Sequence, residues 1–457
     1  MDNKLGLRYK ISYGTAGFGE ATAYCLISTF LLFYLTTIAG IAPALAGTIV
    51  ALGSVWDLIT CPIFGYLSDN CTSAMGKRRP YILVGSIPFT LFTMLLFTLI
   101  DASAPIKAGY YMLVIILFWT AYTCFYVPYM ALGAELTDDY DQRTVLRAYT
   151  SVFNSLGAIV GSVAPTMMVD FMCSSGLSLK ISWQLTALAI GIIAGVTIFL
   201  CFAGSKGRDK PILKEEKKKF NLREMIIEYV DVLKIKPLQY LLAASIISLT
   251  GITMVNSARM YFFTYNLGFS AKQISFTLFI ACVMGLCMPP IINVATRNFD
   301  RKTIFIAFMA FGAVGTAMFK FIGVIGYVTL YILIAMYAIV NMTYWQLMPT
   351  ILYDVGEYDK YTNGKDRVGS VMSIQSVSEA LAEALGVQLL GIILQLVGFD
   401  GEAAVQSDFV LGWIENCMMI VPIILILIAC YFIWKYPITR EVFEKMKREL
   451  ALREEEK

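Results

Sequence analysis

The sequence predicts an all-α membrane protein with 12 transmembrane helices in two bundles of six. Of its 457 residues, 58% are hydrophobic and only 15% are charged, whereas a soluble domain has roughly 25% charged residues. So many apolar residues cannot all be buried in one core, and lipid must cover part of them. Long apolar stretches recur along the whole chain, and one charged segment divides them into two sets of six.

The apolar stretches are long enough to cross a bilayer, whose hydrocarbon core of about 30 Å needs about 20 residues of helix. In the first half of the sequence we predict spans at residues 11–38, 44–68, 81–100, 109–134, 147–172 and 182–204. In the second half we predict spans at residues 237–266, 271–296, 302–323, 325–353, 368–398 and 409–436.

The segment between the two sets is rich in Lys and Arg from Lys206 to Arg223. We therefore divide the chain into an N-terminal six-helix bundle (1–204), a cytoplasmic linker (205–236), a C-terminal six-helix bundle (237–436) and a cytoplasmic tail (437–457).

The distribution of Lys and Arg predicts the orientation, because short cytoplasmic loops carry an excess of both residues. Of the 36 Lys and Arg, only Lys107, Lys180 and Lys272 fall on loops of one side. Two more, Arg259 and Lys320, fall inside predicted spans, and the other 31 lie with both termini on the opposite side. Both termini are therefore expected in the cytoplasm, in a multi-pass protein of the cell (inner or cytoplasmic) membrane. The first apolar stretch is too long for a signal peptide, and none is expected.

The composition argues against several classes of function. The chain has no His, the commonest general base and metal ligand. Its ten Cys are scattered without a CxxC pair, so neither a metal site nor disulfides are expected. It also lacks the HExxH and GxSxG motifs, and a membrane enzyme is disfavoured. A net charge of +3 is too small to suggest nucleic-acid binding. The expected partners are a small-molecule substrate and the lipid bilayer, with no cofactor besides a coupling cation, and the protein is expected to act as a monomer.

The two halves of the sequence repeat a charged loop. Residues Asp139–Thr144 follow the fourth predicted span and Glu357–Thr362 follow the tenth, 218 positions later. Duplicated six-helix halves with a binding site between them are typical of carriers that work by alternating access. A repeat that serves only as scaffold is the alternative.

Acidic and basic residues occur together in these loops, which predicts a cytoplasmic gate. Ion pairs across the two halves would form in the outward-facing state and break in the inward-facing state. The alternative is that the basic residues only fix topology. The predicted gate residues are Lys77, Arg79, Arg143, Asp354, Glu357 and Arg367, with Glu135 and Arg301 as further partners.

A set of short motifs in and around these loops forms a recognisable pattern. The motifs are Ser12–Gly14, Trp56–Asp57, Pro62–Asp69, Gly76–Leu83, Glu135–Tyr140, Arg143–Thr144, Asp354–Tyr358, Asn363–Arg367 and Ser373–Gln375. Together they resemble those of a known family, the glycoside–pentoside–hexuronide:cation symporters. The resemblance implies a major-facilitator fold and cation-linked uptake of a sugar, glycoside or hexuronide.

The resemblance implies a cation-coupling site at Asp57 and Thr123, with the Thr60 hydroxyl beside them. The second aspartate of the family, four positions after the first, is Cys61 here. Because Na⁺ prefers oxygen ligands, a thiol is a poor substitute. A single buried carboxylate suits a proton better, so we predict H⁺ rather than Na⁺ coupling. An uncoupled facilitator is the alternative.

The predicted substrate site departs from the family. Ala21, beside Glu20, replaces the helix-one aspartate, and Ala380 replaces a lysine, whereas Trp345 matches a family tryptophan. A lipid-like or organic-anion substrate therefore remains an alternative. Ionisable residues inside spans are costly, at least ~2.5 kcal/mol each at the helix centre, and are candidates for function. Arg259 is expected either to contact substrate or to form a structural pair with Glu379. The predicted substrate-binding residues are Glu20, Tyr126, Arg259, Trp345, Glu379 and Glu383.

Overall fold

The computed structural model describes residues 6–136, 140–207, 209, 222–365 and 367–455, and within these ranges the regular structure is helical throughout. In the described residues, 12 helices are long and apolar enough to cross a membrane. The predicted all-α fold with twelve spans is thereby confirmed.

Six long helices make up the first half of the chain. They are α1 (Leu7–Thr37), α2 (Pro43–Asp69), α3 (Arg79–Leu96), α4 (Ala104–Glu135), α5 (Tyr140–Ser174) and α6 (Leu179–Gly204). Pro lies in the first turn of α2, α3 and α4, where its missing N–H has no partner to lose.

The second half begins with a short helix, α7 (Leu222–Val232), inside the segment predicted as a linker. The spans that follow are α8 (Lys236–Tyr261), extended by a π-helical turn at Phe262–Asn266, then α9 (Ala271–Asn298), α10 (Arg301–Ile322), α11 (Gly326–Asn363) and α12 (Val368–Leu396). The twelfth span consists of α13 (Asp408–Met419) and α14 (Val421–Lys435), and α15 (Arg440–Glu455) follows it.

Two helix boundaries have clear chemical causes. Helix α11 continues ten residues past its predicted apolar end and stops at Asn363, before Gly364 in the left-handed conformation with φ 67°, which glycine adopts without steric cost. The twelfth span is interrupted near Pro422, because proline has no N–H to donate to the preceding helical turn.

The chain forms two compact units. The N-terminal unit contains residues 1–220, 263–279 and 391–407. Within it, α1 packs against α5 and α6, α3 packs against α4 and α6, and α2 packs against α4. Gly157 and Gly161 on α5 allow the close approach of α1, since a Cβ at either position would lie 2.2 Å from the carbonyl oxygen of Phe18 or Thr22. Small residues four apart are a common way for membrane helices to bring their backbones together.

The N-terminal unit also holds the later segments 263–279 and 391–407, which pack against the ends of its first helices. The hydroxyls of Thr166 and Ser275 are 2.5 Å apart, and the side-chain oxygen of Gln395 accepts a hydrogen bond of 3.0 Å from the Ala44 N–H. A Cβ at Gly401 would lie 2.0 Å from the Thr36 carbonyl oxygen, so this contact also depends on glycine.

The C-terminal unit contains residues 221–262, 280–390 and 408–457. Helix α8 packs against α11, α13 and α14, and α10 packs against α11 and α14. Gly386 on α12 meets α8, where a Cβ would lie 2.7 Å from the Thr250 carbonyl oxygen. In each unit, therefore, a glycine on the fifth span of a half permits close contact with the first span of that half.

Candidate functional site

The predicted coupling residues lie together in the N-terminal unit. Asp57, Thr60 and Cys61 share one face of α2, because residues three and four apart on a helix are neighbours. The Thr123 hydroxyl on α4 donates a short hydrogen bond to Asp57 Oδ1, and it lies 3.0 Å from the Thr60 hydroxyl. The Cys61 thiol lies 3.6 Å from Asp57 Oδ2. Both carboxylate oxygens of Asp57 therefore contact neutral groups.

A hydrogen bond between α2 and α4 fixes the register that makes this arrangement possible. The indole Nε1 of Trp56 donates to the Thr120 hydroxyl at 2.9 Å. Thr120 and Thr123 are three apart on α4 and so lie on neighbouring positions of its surface. The hydrogen bond thus aligns the helix faces that carry Asp57 and Thr123.

Glu20 is the second membrane-embedded carboxylate of this unit, and it is only 7% exposed. Its Oε1 accepts a hydrogen bond of 2.9 Å from the Tyr122 hydroxyl on α4, and the Asn154 side chain on α5 is a further polar neighbour. The ring of Tyr122 stacks on Tyr126 with 5.0 Å between centroids. Glu20 and Tyr126, both predicted as substrate ligands, are thus connected through Tyr122, which the sequence analysis did not assign to the site.

The remaining predicted substrate residues belong to the C-terminal unit. Trp345 on α11 is 43% exposed, and its ring meets Tyr344 edge-on at 5.4 Å. Arg259 and Glu383, on α8 and α12, are both partly buried. Glu379 accepts a hydrogen bond of 3.0 Å from the Gln375 side-chain amide, so the anchor of this carboxylate is neutral.

In the N-terminal unit, the charged loop after α2 is organised by Arg78 rather than by the predicted Arg79. The buried Arg78 guanidinium binds Asp69, Glu135 at 3.0 Å and the Ser68 hydroxyl at 2.7 Å. Lys77 also reaches Glu135, at 2.8 Å. Three consecutive basic residues were visible in the sequence, but which of them turns inward depends on the three-dimensional start of α3.

Arg79 lies against a different part of the unit. Its Nε donates to the Phe202 carbonyl oxygen at 3.1 Å, and its guanidinium sits 4.5 Å from the centre of the Phe202 ring. The Asp209 carboxylate accepts the backbone N–H groups of Arg78 and Arg79 at 2.8 and 2.9 Å. Asp209 therefore satisfies N–H groups at the start of α3 that have no partner within the helix.

In the C-terminal unit, Arg367 is held by two carboxylates. Its Nε donates to Asp359 at 2.8 Å, and its NH1 group donates to Asp231 of α7 at 2.6 Å. Hydrogen bonds from Arg367 and then from Lys365 lower the pKa of Asp231 to about 2, and the pKa of Arg367 is raised mainly by its bond to Asp359. These contacts fasten α7 to the loop between α11 and α12. Neither Asp231 nor Asp359 was identified from the sequence.

The other predicted gate residues have differing surroundings. Asp354 pairs with Arg301 at 3.0 Å, and Glu357 is partly buried on α11. The side chain of Arg143 lies outside the described residues. The ion pairs named above form inside one unit or the other, and pairing across the halves stays a prediction.

Comparison with known proteins gives a match along almost the whole chain. The model of the family described as "MFS/sugar transport protein" matches residues 12–440. An uncharacterized symporter of Bacillus subtilis, YnaJ, is 25% identical over 452 residues, covering 99% of this chain and 96% of the relative. The isoprimeverose transporter of Lactiplantibacillus pentosus is 26% identical over 424 residues, covering 91% and 85%. A glucuronide carrier protein homolog of Escherichia coli is 23% identical over 459 residues, covering 98% and 96%.

Solved structures share the fold. The nucleoside transporter NupG superposes with a TM-score of 0.68 at 10% identity, covering 94% of this chain and 100% of that one. The xylose transporter XylE from E. coli, in an inward-open conformation, gives a TM-score of 0.62 at 16% identity, covering 97% and 98%.

Proposed function

Since the chain belongs to the MFS/sugar transport protein family, we propose that it carries a sugar, glycoside or hexuronide across the cell membrane by alternating access, coupled to H⁺ rather than Na⁺. Support for the substrate class comes from relatives named as an isoprimeverose transporter, a glucuronide carrier homolog and a sulfoquinovose importer. We further propose that both termini lie in the cytoplasm and that the monomer is the working unit.

The Asp57 cluster is the observation that supports proton coupling. The Asp57 carboxylate contacts the Thr123 hydroxyl and the Cys61 thiol, and the Thr60 hydroxyl contacts that of Thr123. A Na⁺ ion leaving water needs several oxygen ligands and compensating negative charge, whereas a proton needs one acceptor. The Asp57 site provides the one acceptor that a proton needs. It provides fewer of the oxygen ligands and less of the negative charge that Na⁺ needs.

For the substrate we propose contacts from the residues predicted by the sequence. The Glu20 carboxylate and the Tyr126 hydroxyl suit sugar hydroxyls, which both donate and accept hydrogen bonds. The exposed ring of Trp345 offers a flat apolar surface to the face of a sugar ring. Arg259 and Glu383 add charges of opposite sign, and Arg259 is suited to the carboxylate of a hexuronide.

Uptake into proteoliposomes tests the proposal. The panel contains labelled isoprimeverose, a methyl glucuronide, sulfoquinovose and an anionic lysolipid, each with an imposed pH gradient or an imposed Na⁺ gradient. We expect one of the sugars to accumulate with the pH gradient alone. Asp57→Asn should lower the accumulation driven by the pH gradient while leaving exchange of labelled for unlabelled sugar.

A carboxylate-to-amide control is Glu415→Gln on α13, whose side chain pairs with Lys320 at 2.6 Å. It should leave accumulation unchanged. Accumulation driven by Na⁺ alone would overturn the choice of coupling ion, and uptake of the lysolipid alone would replace the substrate class.

A further inference from the structure

A buried polar cluster in the C-terminal unit is not explained by sugar binding. It consists of Ser245 on α8, Tyr344 on α11, and Gln375 and Glu379 on α12. The Gln375 amide nitrogen lies 2.8 Å from the Ser245 hydroxyl, 3.2 Å from the Tyr344 hydroxyl and 3.0 Å from Glu379 Oε1. The hydroxyls of Ser245 and Tyr344 are 2.7 Å apart. The cluster joins three helices: Ser245 and Tyr344 are at 0% exposure and Gln375 is at 2%, whereas Glu379 is partly buried.

The shell around Glu379 is made of neutral groups. Its hydrogen-bond partner is Gln375, and the Tyr344 hydroxyl, 3.2 Å from the same Gln375 amide nitrogen, is its neighbour on α11. The titratable groups near it are Tyr344 on α11 and Glu383, one turn further along α12, and both carboxylates act on Tyr344. Helix α8 contributes Ser245, which is neutral.

An ionised carboxylate in such a position is unfavourable. Moving a charge from water into a medium of low dielectric constant is costly, and neutral donors offset only part of this cost. A proton on Glu379 removes the charge and supplies one more donor to the cluster. Ser245, Tyr344 and Gln375 all carry oxygens able to accept that hydrogen bond.

The N-terminal unit contains a related arrangement. Glu20 is hydrogen-bonded to Tyr122 and has Asn154 as a neighbour, so each unit combines a carboxylate with a tyrosine of its fourth span and a carboxamide of its fifth. In the C-terminal unit, however, the carboxylate is on the fifth span itself, one turn after the carboxamide. The hydrogen bond from Gln375 to Glu379 therefore lies within α12.

We propose that Glu379 is a proton-binding site of the C-terminal half, in addition to Asp57. Its ligand is H⁺ and its holding residues are Gln375 and Tyr344. The participation of this proton in transport rests on the proposed proton coupling, but its presence on Glu379 does not. The sequence-based expectation that Glu379 binds substrate stays a prediction.

Infrared difference spectroscopy of the purified full-length protein tests the site without any substrate. Spectra recorded at neutral and alkaline pH report the carbonyl stretch of protonated carboxyl groups, to which ionised carboxylates and amides do not contribute. We expect Glu379→Gln to remove one protonated carboxyl from the neutral-pH spectrum, with Glu379→Asp retaining it. Tyr344→Phe should shift the pH at which the band disappears.

The matched variant Glu415→Gln removes a carboxylate that is already paired with Lys320 and should leave the band unchanged. Thermal unfolding of each variant shows whether it is folded. If Glu379→Gln does not fold, the pH dependence of the carboxyl band in Tyr344→Phe still tests the proposal. Identical wild-type and Glu379→Gln spectra, or a band unaffected by Tyr344→Phe, would overturn the proposal. Neither outcome depends on whether the Asp57 site couples to H⁺.

Discussion

At the scale of single residues, Cys61 is the position at which this chain departs most informatively from the family it resembles. Its thiol contacts Asp57 Oδ2 at 3.6 Å, so a carboxylate there would face the same small space. Asp57 and a carboxylate at position 61 would place two negative charges near the Thr60 and Thr123 hydroxyls. That environment suits Na⁺ better than one carboxylate and a thiol do.

We therefore expect Cys61→Asp to make uptake depend on Na⁺, with at least a several-fold stimulation of the initial rate in proteoliposomes. Cys61→Ser is the control, because it keeps a neutral donor of similar size and should leave uptake insensitive to Na⁺. Equal Na⁺ responses of the two variants would show that position 61 does not select the ion.

Helical spacing and family resemblance were sufficient to predict that Asp57, Thr60 and Thr123 come together. Spacing along one helix shows which residues share a face, and it placed Thr60 beside Asp57. It does not give the register between helices, so the partners Tyr122, Asn154 and Gln375 remained unassigned. Arg78 was missed for a related reason, because its burial depends on how α3 begins.

At the scale of helices, the contact between α1 and α5 depends on bare backbone at Gly161. A Cβ there would lie 2.2 Å from the Thr22 carbonyl oxygen, and main-chain atoms cannot move aside as a flexible side chain can. Gly161→Ala should therefore destabilise the protein by about 1–3 kcal/mol, measured as a lower thermal unfolding temperature in detergent.

Gly109→Ala on α4 is the matched control, since no atom lies within 4 Å of the position its Cβ would take. Alanine favours a helix over glycine by up to about 1 kcal/mol, so this variant should be neutral or slightly more stable. A similar response of the two variants would mean that the close contact of α1 and α5 is unimportant for stability.

The attachment of α7 makes a separate prediction with a defined pH dependence. Arg367 holds the pKa of Asp231 at about 2, below the ordinary aspartate value of about 3.9. The ion pair therefore stabilises the attachment of α7 fully at pH values above about 3.9. This contribution is lost as the pH falls through about 2. Attachment should therefore be constant from neutral pH down to about pH 4.

Asp231→Asn should loosen α7 at every pH in that range, seen as faster hydrogen exchange of residues 222–232. The control is Glu444→Gln, which breaks an exposed pair with Arg440 on α15 and should leave α7 unaffected. Slow exchange in Asp231→Asn would show that packing alone holds the helix.

Most of the helical architecture was predictable, because the demand for apolar length in a bilayer is strong and local. The bilayer imposes the apolar length of each span, and the features that were missed do not depend on that length. Helix α7 is amphipathic and short, and the polar end of α11 from Asp354 to Asn363 continues the helix beyond its apolar part. The break near Pro422 was hidden within a continuous apolar stretch.

At the scale of the whole molecule, two proton sites would set the limit of accumulation. Each pH unit across the membrane provides about 1.36 kcal/mol per coupled proton, a factor of about 10. With the membrane potential clamped at zero and a gradient of about one unit, the wild type should concentrate its sugar about 100-fold, and Glu379→Gln about 10-fold.

This ratio is an equilibrium quantity, so it is independent of how much protein is inserted or how fast it works. Glu415→Gln should reach the wild-type ratio. A wild-type ratio of about 10, unchanged in Glu379→Gln, would indicate one transported proton and leave the coupling at Asp57 intact. A ratio of one would remove proton coupling altogether.

The bond between Asp231 and Arg367 also constrains how the protein is made. The two residues are 136 positions apart in the chain, so the first leaves the ribosome well before its partner exists. At about 5–20 residues per second, roughly 7–27 s of synthesis separate them. Helix α7 is therefore synthesised before its ion-pair partner, while the spans that follow it are still being inserted. The pair between Asp231 and Arg367 can form only after the tenth span is complete.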